Sequence, residues 1–234
     1  GGAGVDALTL NFAAILGGVS VDLSSTTDQV TAMDGSSNTA VQKNFESVDL
    51  STFTGFGAVI TGSSAANVIV GSPLADNINS GAGGDTVTGG EGSDVITFGS
   101  GVDSLVYTEA GATTAAAGDL AANAGDSIHN FTTSDTIQFG AAAGAFEGDV
   151  ITAALAGAGG TLTEMTNATT FAAATAGLMS YWDNGTDITI AISTAANAGY
   201  SAADISVTLV GIGSASGANH VFALSSGGEL TFTS

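Results

Sequence analysis

The sequence predicts an all-β protein in which a solenoid of short parallel strands precedes a β-rich C-terminal part with one or two short helices. Two patterns carry this prediction: a nine-residue repeat of glycines, an aspartate and an aliphatic residue, and short alternating apolar runs on either side of it. Composition agrees, because the 234 residues include 35 glycines and one proline, and glycine favours tight turns over helices.

The repeat occupies residues 62–106, where five consecutive blocks keep phase without an insertion. They read GSSAANVIV, GSPLADNIN, SGAGGDTVT, GGEGSDVIT and FGSGVDSLV. Their sixth positions are Asn67, Asp76, Asp85, Asp94 and Asp103, and every eighth position is aliphatic. Residues 1–9 form an isolated further copy. A repeat that holds phase in this way predicts stacked structural units.

Each block predicts a tight turn followed by a three-residue strand whose central aliphatic side chain points inward. Two nine-residue blocks make one coil of 18 residues, so that turns stack above turns. Residues one coil apart therefore share a side of the stack. We expect Asn67, Asp85 and Asp103 together on one side, and Asp76 and Asp94 on the other.

Stacked carboxylates repel one another unless a cation neutralises them. Calcium suits this role because it takes about six to eight oxygens from carboxylates and backbone carbonyls, whereas magnesium demands a small octahedral cage. We expect ions between Asp76 and Asp94 and between Asp85 and Asp103, with a weaker site between Asn67 and Asp85. The candidate calcium ligands in the repeat, including glycines of the turns, are Asn67, Asp76, Gly81, Gly83, Asp85, Gly90, Gly92, Asp94 and Asp103.

A formal net charge of −21, with a single Lys or Arg, excludes whole classes of partner. Nucleic acids and anionic membrane surfaces are bound through Lys and Arg, so neither is expected. No window approaches the roughly 20 consecutive apolar residues of a spanning helix, so no membrane insertion is expected. Cysteine is absent, which excludes disulfides and thiolate metal sites. With 44% hydrophobic residues, the chain should still fold around a core.

The sequence contains no catalytic constellation, and we predict that the chain is not an enzyme. It has no HExxH zinc motif, no GxSxG elbow and no phosphate-binding loop. Its two histidines, His129 and His220, lie in separate strand-like segments without a nucleophile motif beside them.

The nonapeptide resembles the GGxGxDxUx repeat of the RTX family of calcium-binding, secreted bacterial proteins. The resemblance is close over 62–106, although Pro73 and Leu74 depart from it and Asn67 replaces an acid. It implies a parallel β-roll that folds on meeting extracellular calcium, after export of the unfolded chain through a type I secretion channel. Residues 126–139 are similar to the segment that closes such rolls. By that resemblance Asp126 and Asp135 are further calcium-ligand candidates; the alternative is two exposed aspartates in a hairpin.

Three regions are predicted on this basis. Residues 1–61 form imperfect N-terminal solenoid coils, with strands at 19–23, 47–50 and 59–60. Residues 62–106 form the calcium β-roll. Residues 107–234 form a β-rich C-terminal cap, which resembles that of serralysin-type RTX proteins. The cap is predicted to have short helices within 110–125 and 171–179, strands at 187–192 and 203–211, and either a secretion signal or an ordinary last strand at 228–234.

The function expected from these features is structural: a calcium-dependent protein of the bacterial cell surface, in a surface layer or extracellular filament. The acidic, cysteine-free composition, rich in Thr, Ala, Gly and Ser, resembles surface-layer proteins of Gram-negative bacteria. Expected partners are calcium ions, other copies of the chain, and cell-surface polysaccharide through the rest of a longer parent protein, since the chain opens within a motif. The alternatives are the export and folding domain of a secreted hydrolase, such as a serralysin-like protease, and an adhesin module.

Overall fold

The structure is a computed structural model that describes residues 4–10, 17–33, 41–107, 124–139, 163–164, 179–192, 205–212, 221–224 and 229–233. In these residues the protein is all-β and contains no helix. The chain divides into two compact units, residues 1–106 and residues 107–234. Each unit is built mainly from short strands.

The described strands of the first unit are mostly three or four residues long. They are β1 (Ala7–Thr9), β2 (Val19–Asp22), β3 (Val30–Met33), β4 (Ser47–Asp49), β5 (Val59–Thr61), β6 (Val68–Val70), β7 (Asn77–Asn79), β8 (Thr86–Thr88), β9 (Val95–Thr97) and β10 (Ser104–Tyr107), whose last residue begins the second unit. They form two sheets, ordered β1-β4-β6-β8-β10 and β3-β2-β5-β7-β9. The strands pair in parallel except β2 with β3, which are antiparallel. The strands predicted at 19–23, 47–50 and 59–60 are confirmed as β2, β4 and β5.

Strands of the repeat alternate between the two sheets. Consequently Val68 pairs with Thr86, and Val59 pairs with Asn77, each one coil further along the chain. The central residue of every repeat strand is buried while its neighbours are exposed or half-buried. These central residues, Ile69, Ile78, Val87, Ile96 and Leu105, are all 0% exposed. Each sheet therefore buries one face, as the aliphatic eighth position predicts.

The described strands of the second unit are on average longer and more often antiparallel. They are β11 (Ala124–His129), β12 (Thr136–Phe139), β13 (Thr163–Glu164), β14 (Met179–Asp183), β15 (Ile188–Ile192), β16 (Ile205–Val210), β17 (Val221–Leu224) and β18 (Glu229–Thr233). Their orders are β13-β14-β15-β16-β11 and β12-β18-β17. The strands predicted at 187–192 and 203–211 are confirmed as β15 and β16. Tyr181, Phe222 and Phe232 are buried, with ring centroids 4.9 and 5.1 Å apart around Phe222.

The two predicted helices lie largely outside the described residues. Residues 124–125, at the end of the first stretch, belong to β11, and the rest of that stretch lies outside the described residues. The second prediction is wrong at Met179, which begins β14. Met179 pairs with Ile192 in an antiparallel ladder. Pairing with the next strand in an antiparallel hairpin here outweighs the local helix preference of an alanine-rich stretch.

Candidate metal centre

The sixth-position residues of the repeat form two columns, in each of which hydrogen bonds join residues 18 positions apart. In one column Asp103 Oδ1 accepts the Asp85 backbone N–H at 2.8 Å, and Asp85 Oδ1 accepts the Asn67 N–H at 2.8 Å. In the other, Asp94 Oδ1 accepts the Asp76 N–H at 2.8 Å. All five residues are buried. The structure thus brings together the residues that the 18-residue spacing predicts to be neighbours.

These hydrogen bonds also give each carboxylate a structural task. The backbone carbonyl of a sixth-position residue accepts a ladder bond from the next coil, as Asn67 O does from the Thr86 N–H at 2.9 Å. Its N–H is taken instead by the side chain one coil on. Since an unpaired buried N–H is costly, an acid or amide at this position stabilises the stack even without an ion.

In two of the turns a serine at the second position binds the sixth-position side chain. Asp76 accepts the Ser72 N–H through Oδ2 at 2.6 Å, and the Ser72 hydroxyl through Oδ1 at 2.7 Å. The Ala58 N–H also reaches Oδ1, at 2.5 Å. Asn67 is held in the same way by Ser63, whose N–H lies 2.7 Å from its Oδ1. The polar groups of both side chains are therefore engaged within the protein.

The following turns have glycine at the second position and differ in this respect. Gly81 has a φ of +87° and donates its N–H to Asn79 at 3.1 Å, away from Asp85. Within the described part of the chain, Asp85 Oδ2 and Ser80 Oγ are both buried, and neither atom has a hydrogen-bond partner of good geometry. The Ser80 side chain nevertheless lowers the pKa of Asp85. The Oδ2 atoms of Asp94 and Asp103 are likewise buried without a hydrogen bond, while these residues interact through other atoms.

Burial works against the charge on these carboxylates. Desolvation raises the pKa of Asp76 to about 6, although hydrogen bonds from Ala58 and Ser72 oppose the shift. Desolvation also raises the pKa of Asp85, against weaker lowering by Asn67 and Ser80. A buried anion with an unsatisfied oxygen fits a cation as its missing partner.

Carboxylates alone do not complete a metal site in the described residues, because no three His, Cys, Asp or Glu side chains come close enough to hold an ion together. A calcium ion in these turns would need backbone carbonyl oxygens, a ligand type that calcium accepts readily. The predicted glycine ligands have positive φ at Gly81, Gly83, Gly90 and Gly92. That conformation lets each glycine approach the backbone of the turn one coil earlier, as Gly83 does at Ala65.

The candidates predicted from the roll-closing segment have protein partners in the second unit. Asp126 lies in β11 and accepts a hydrogen bond from the Tyr107 hydroxyl at 2.9 Å. Asp135 accepts the Thr132 N–H at 2.8 Å and its hydroxyl at 2.9 Å, which closes the turn before β12. Both aspartates are buried, so the alternative of two exposed aspartates is wrong.

The sequence placed Asp6 at the sixth position of an isolated copy, but it did not show that Asp6 and Glu46 continue the first column. Ala7 pairs with Ser47, and Ser47 with Val68, so Asp6 and Glu46 occupy the positions equivalent to Asn67. Glu46 Oε2 accepts the Asp6 N–H at 2.8 Å, and the Asn67 Nδ2 donates to the Glu46 carbonyl at 2.6 Å. Glu46 and Asn67 are 21 residues apart instead of 18, and this insertion hides the column from a nine-residue frame.

No family model matches the chain, and no curated protein matches it. No helix that could cross a membrane occurs among the residues that the structure describes.

Proposed function

We propose that this chain is a calcium-dependent structural protein of the bacterial cell surface, in a surface layer or extracellular filament. In this proposal residues 62–106 are a parallel β-roll, and residues 107–234 are its β-rich cap. Calcium ions are held by the turns that carry Asp85, Asp94 and Asp103, with Asp76 and Asn67 toward the N-terminal ends of the two columns. Asp126 and Asp135 remain further candidate ligands.

The observation that carries the proposal is the buried Oδ2 atom of Asp85. It lies in a column of acids within a chain that has 22 acidic residues and one Lys or Arg. So few basic side chains cannot neutralise stacked carboxylates on both sides of the turns. A hard divalent cation, bound by carboxylate and carbonyl oxygens, would neutralise them at the same place.

Charge also supplies the mechanism of the proposed switch. Where free calcium is scarce, the acids of each column repel one another and the stacked turns are destabilised, which suits passage through a secretion channel. Outside the cell, calcium at about 10⁻³ M reaches the roughly 10⁻⁴–10⁻³ M affinities of extracellular modules. Because the site requires the folded turns, binding free energy becomes folding free energy.

Replacing Asp85 and Asp94 together with alanine tests the assignment. We expect the calcium concentration at the midpoint of folding, followed by circular dichroism, to rise severalfold because each column loses a ligand. An Asp22→Ala, Asp49→Ala variant is a matched control, since these acids accept hydrogen bonds from Ser24 and Ser51 at strand ends outside the repeat. An unchanged midpoint in the repeat variant would contradict calcium binding by these turns.

The second candidate function is the export and folding domain of a secreted hydrolase, and an adhesin module lies between the two. The same calcium roll supports all of them. Self-association distinguishes them, because a lattice or filament requires contacts between copies, whereas a folding domain acts as a monomer. Carboxylates left on the outside of an acidic chain could be bridged by calcium between copies.

A further inference from the structure

Turns with serine at the second position and turns with glycine there differ in how many carboxylate lone pairs they leave for an ion to bind. A carboxylate has about four lone-pair sites. In the serine turn, three donors occupy Asp76: the Ala58 N–H, the Ser72 N–H and the Ser72 hydroxyl. In the glycine turn, Asp85 Oδ1 accepts one backbone N–H and Oδ2 accepts no hydrogen bond of good geometry, although the nearby Ser80 side chain lowers the pKa of Asp85. The two aspartates therefore differ in how many further ligand bonds they can make, although they hold the same position in the repeat.

Asn67 shows that the serine turn does not depend on a charged side chain. Its Oδ1 accepts the Ser63 N–H at 2.7 Å and the Ser63 hydroxyl at 3.2 Å. Its Nδ2 donates to the Glu46 carbonyl at 2.6 Å, so that a protein donor, and not an ion, joins these two coils. A neutral amide completes this turn with hydrogen bonds alone.

The turn that carries Asp85 has glycine at the second position and does not make these hydrogen bonds. The N–H of Ser72 donates to the carboxylate of its own turn, whereas the N–H of Gly81, a residue with a φ of +87°, donates to the Asn79 side chain. A serine Cβ at position 81 would collide with the Ser63 carbonyl oxygen. The second residue thus separates these two turns: Ser72 gives its backbone N–H to the acid of its own turn, and Gly81 does not.

We propose that Ser63 and Ser72 close their turns to metal ions, so that calcium binds at the glycine turns, at Asp85 in particular, and not at Asn67 or Asp76. The Ser72 turn is then an ion-free end of the second column, and the Ser63 turn an ion-free position between Glu46 and Asp85 in the first. This assignment rests on the proposed calcium function and refines it: the sixth-position acid is not sufficient, and the second residue selects the turns that take up calcium.

Counting bound calcium in the full chain by native mass spectrometry at saturating calcium tests the assignment. D76N should keep the wild-type count, because its amide oxygen can accept the Ser72 N–H and hydroxyl as that of Asn67 accepts those of Ser63, at the cost of the bond from the Ala58 N–H. D85N, the same substitution in a glycine turn, should lose at least one ion. Loss of an ion in D76N, or an unchanged count in D85N, would overturn the assignment.

A wild-type count of zero would instead refute the proposed function, and this assignment with it, so the two failures are distinguishable. If either variant fails to fold, the wild-type protein crystallised with calcium decides the question. Ions should lie about 2.3–2.6 Å from an Asp85 oxygen. An ion at that distance from an Asp76 oxygen would contradict closure by Ser72.

Discussion

At the scale of single residues, Asp76 shows how burial and hydrogen bonding compete. Three donors favour its charged form, yet desolvation outweighs them and raises the pKa from 3.8 to about 6. The charged carboxylate is therefore less favourable in the folded protein than in the unfolded chain. At one pKa unit per 1.36 kcal/mol, this difference corresponds to a cost on the order of 3 kcal/mol at neutral pH.

This shift predicts that the calcium-free protein becomes more stable as it is acidified. A group whose pKa is raised on folding binds more protons in the native state, so the cost is fully present above about pH 6 and absent below the unfolded value of 3.8. Urea unfolding in calcium-free buffer at pH 7 and pH 5 measures the effect. Part of the gain in unfolding free energy between pH 7 and pH 5 should disappear in D76N, because asparagine cannot titrate at this position. Equal pH dependence in the wild type and D76N would contradict the shift.

At the scale of the turn, two adjacent glycines differ in what they contribute. Gly83 has a φ of +113°, and a Cβ there would come within 2.7–2.8 Å of the Ala65 and Ala66 backbone. At Gly84 the nearest atom would be the Val102 carbonyl oxygen at 3.1 Å, and its φ is not in the left-handed region. Backbone contact between stacked turns therefore requires glycine at 83 more than at 84.

Gly83→Ala should accordingly destabilise the protein more than Gly84→Ala, by roughly 1–3 kcal/mol for the strained conformation alone. The neighbouring substitution is the control for the general effect of adding a methyl group to this turn. Chemical unfolding at saturating calcium measures both variants under one condition. Equal stability of the two variants would mean that the close approach of Gly83 to Ala65 does not hold in solution.

At the scale of the whole molecule, net charge is the main factor in association between copies. The net charge of −21 opposes association of copies unless cations intervene. Each unit buries its own apolar residues, including Ile78 and Ile96 in the first and Tyr181 and Phe222 in the second. Apolar side chains such as Phe56 and Val102 are nevertheless exposed, so assembly through calcium would use an acidic surface that also carries apolar groups.

Sedimentation velocity of the full chain, in calcium and then in excess chelator, separates the candidate functions. Large assemblies that dissolve in chelator are expected for a surface layer or filament. A monomer that is compact with calcium and expands in chelator would support the roll but favour a folding domain or adhesin module. Magnesium at the same concentration is the control for simple charge screening.

Local sequence predicted the repeat strands well because their period is short and uninterrupted. The aliphatic eighth positions, such as Ile69 and Ile78, are buried as expected, and strands such as β15 and β16 follow clear alternation. The helix expected to include Met179 was wrong at that residue, because its backbone pairs with Ile192. The alanine-rich residues before Met179 gave no sign that it starts the first strand of a hairpin.

The sequence by itself determined which repeat acids share a side, because two nine-residue blocks return the chain to the same face. Only the tertiary structure added Asp6 and Glu46 to the first column, because the lengths of the intervening segments set that register. It also distinguished Asp76 from Asp85. The same residue type at the same repeat position is satisfied by Ser72 in one turn and left with a buried free oxygen in the other, because hydrogen bonding depends on backbone direction as well as spacing.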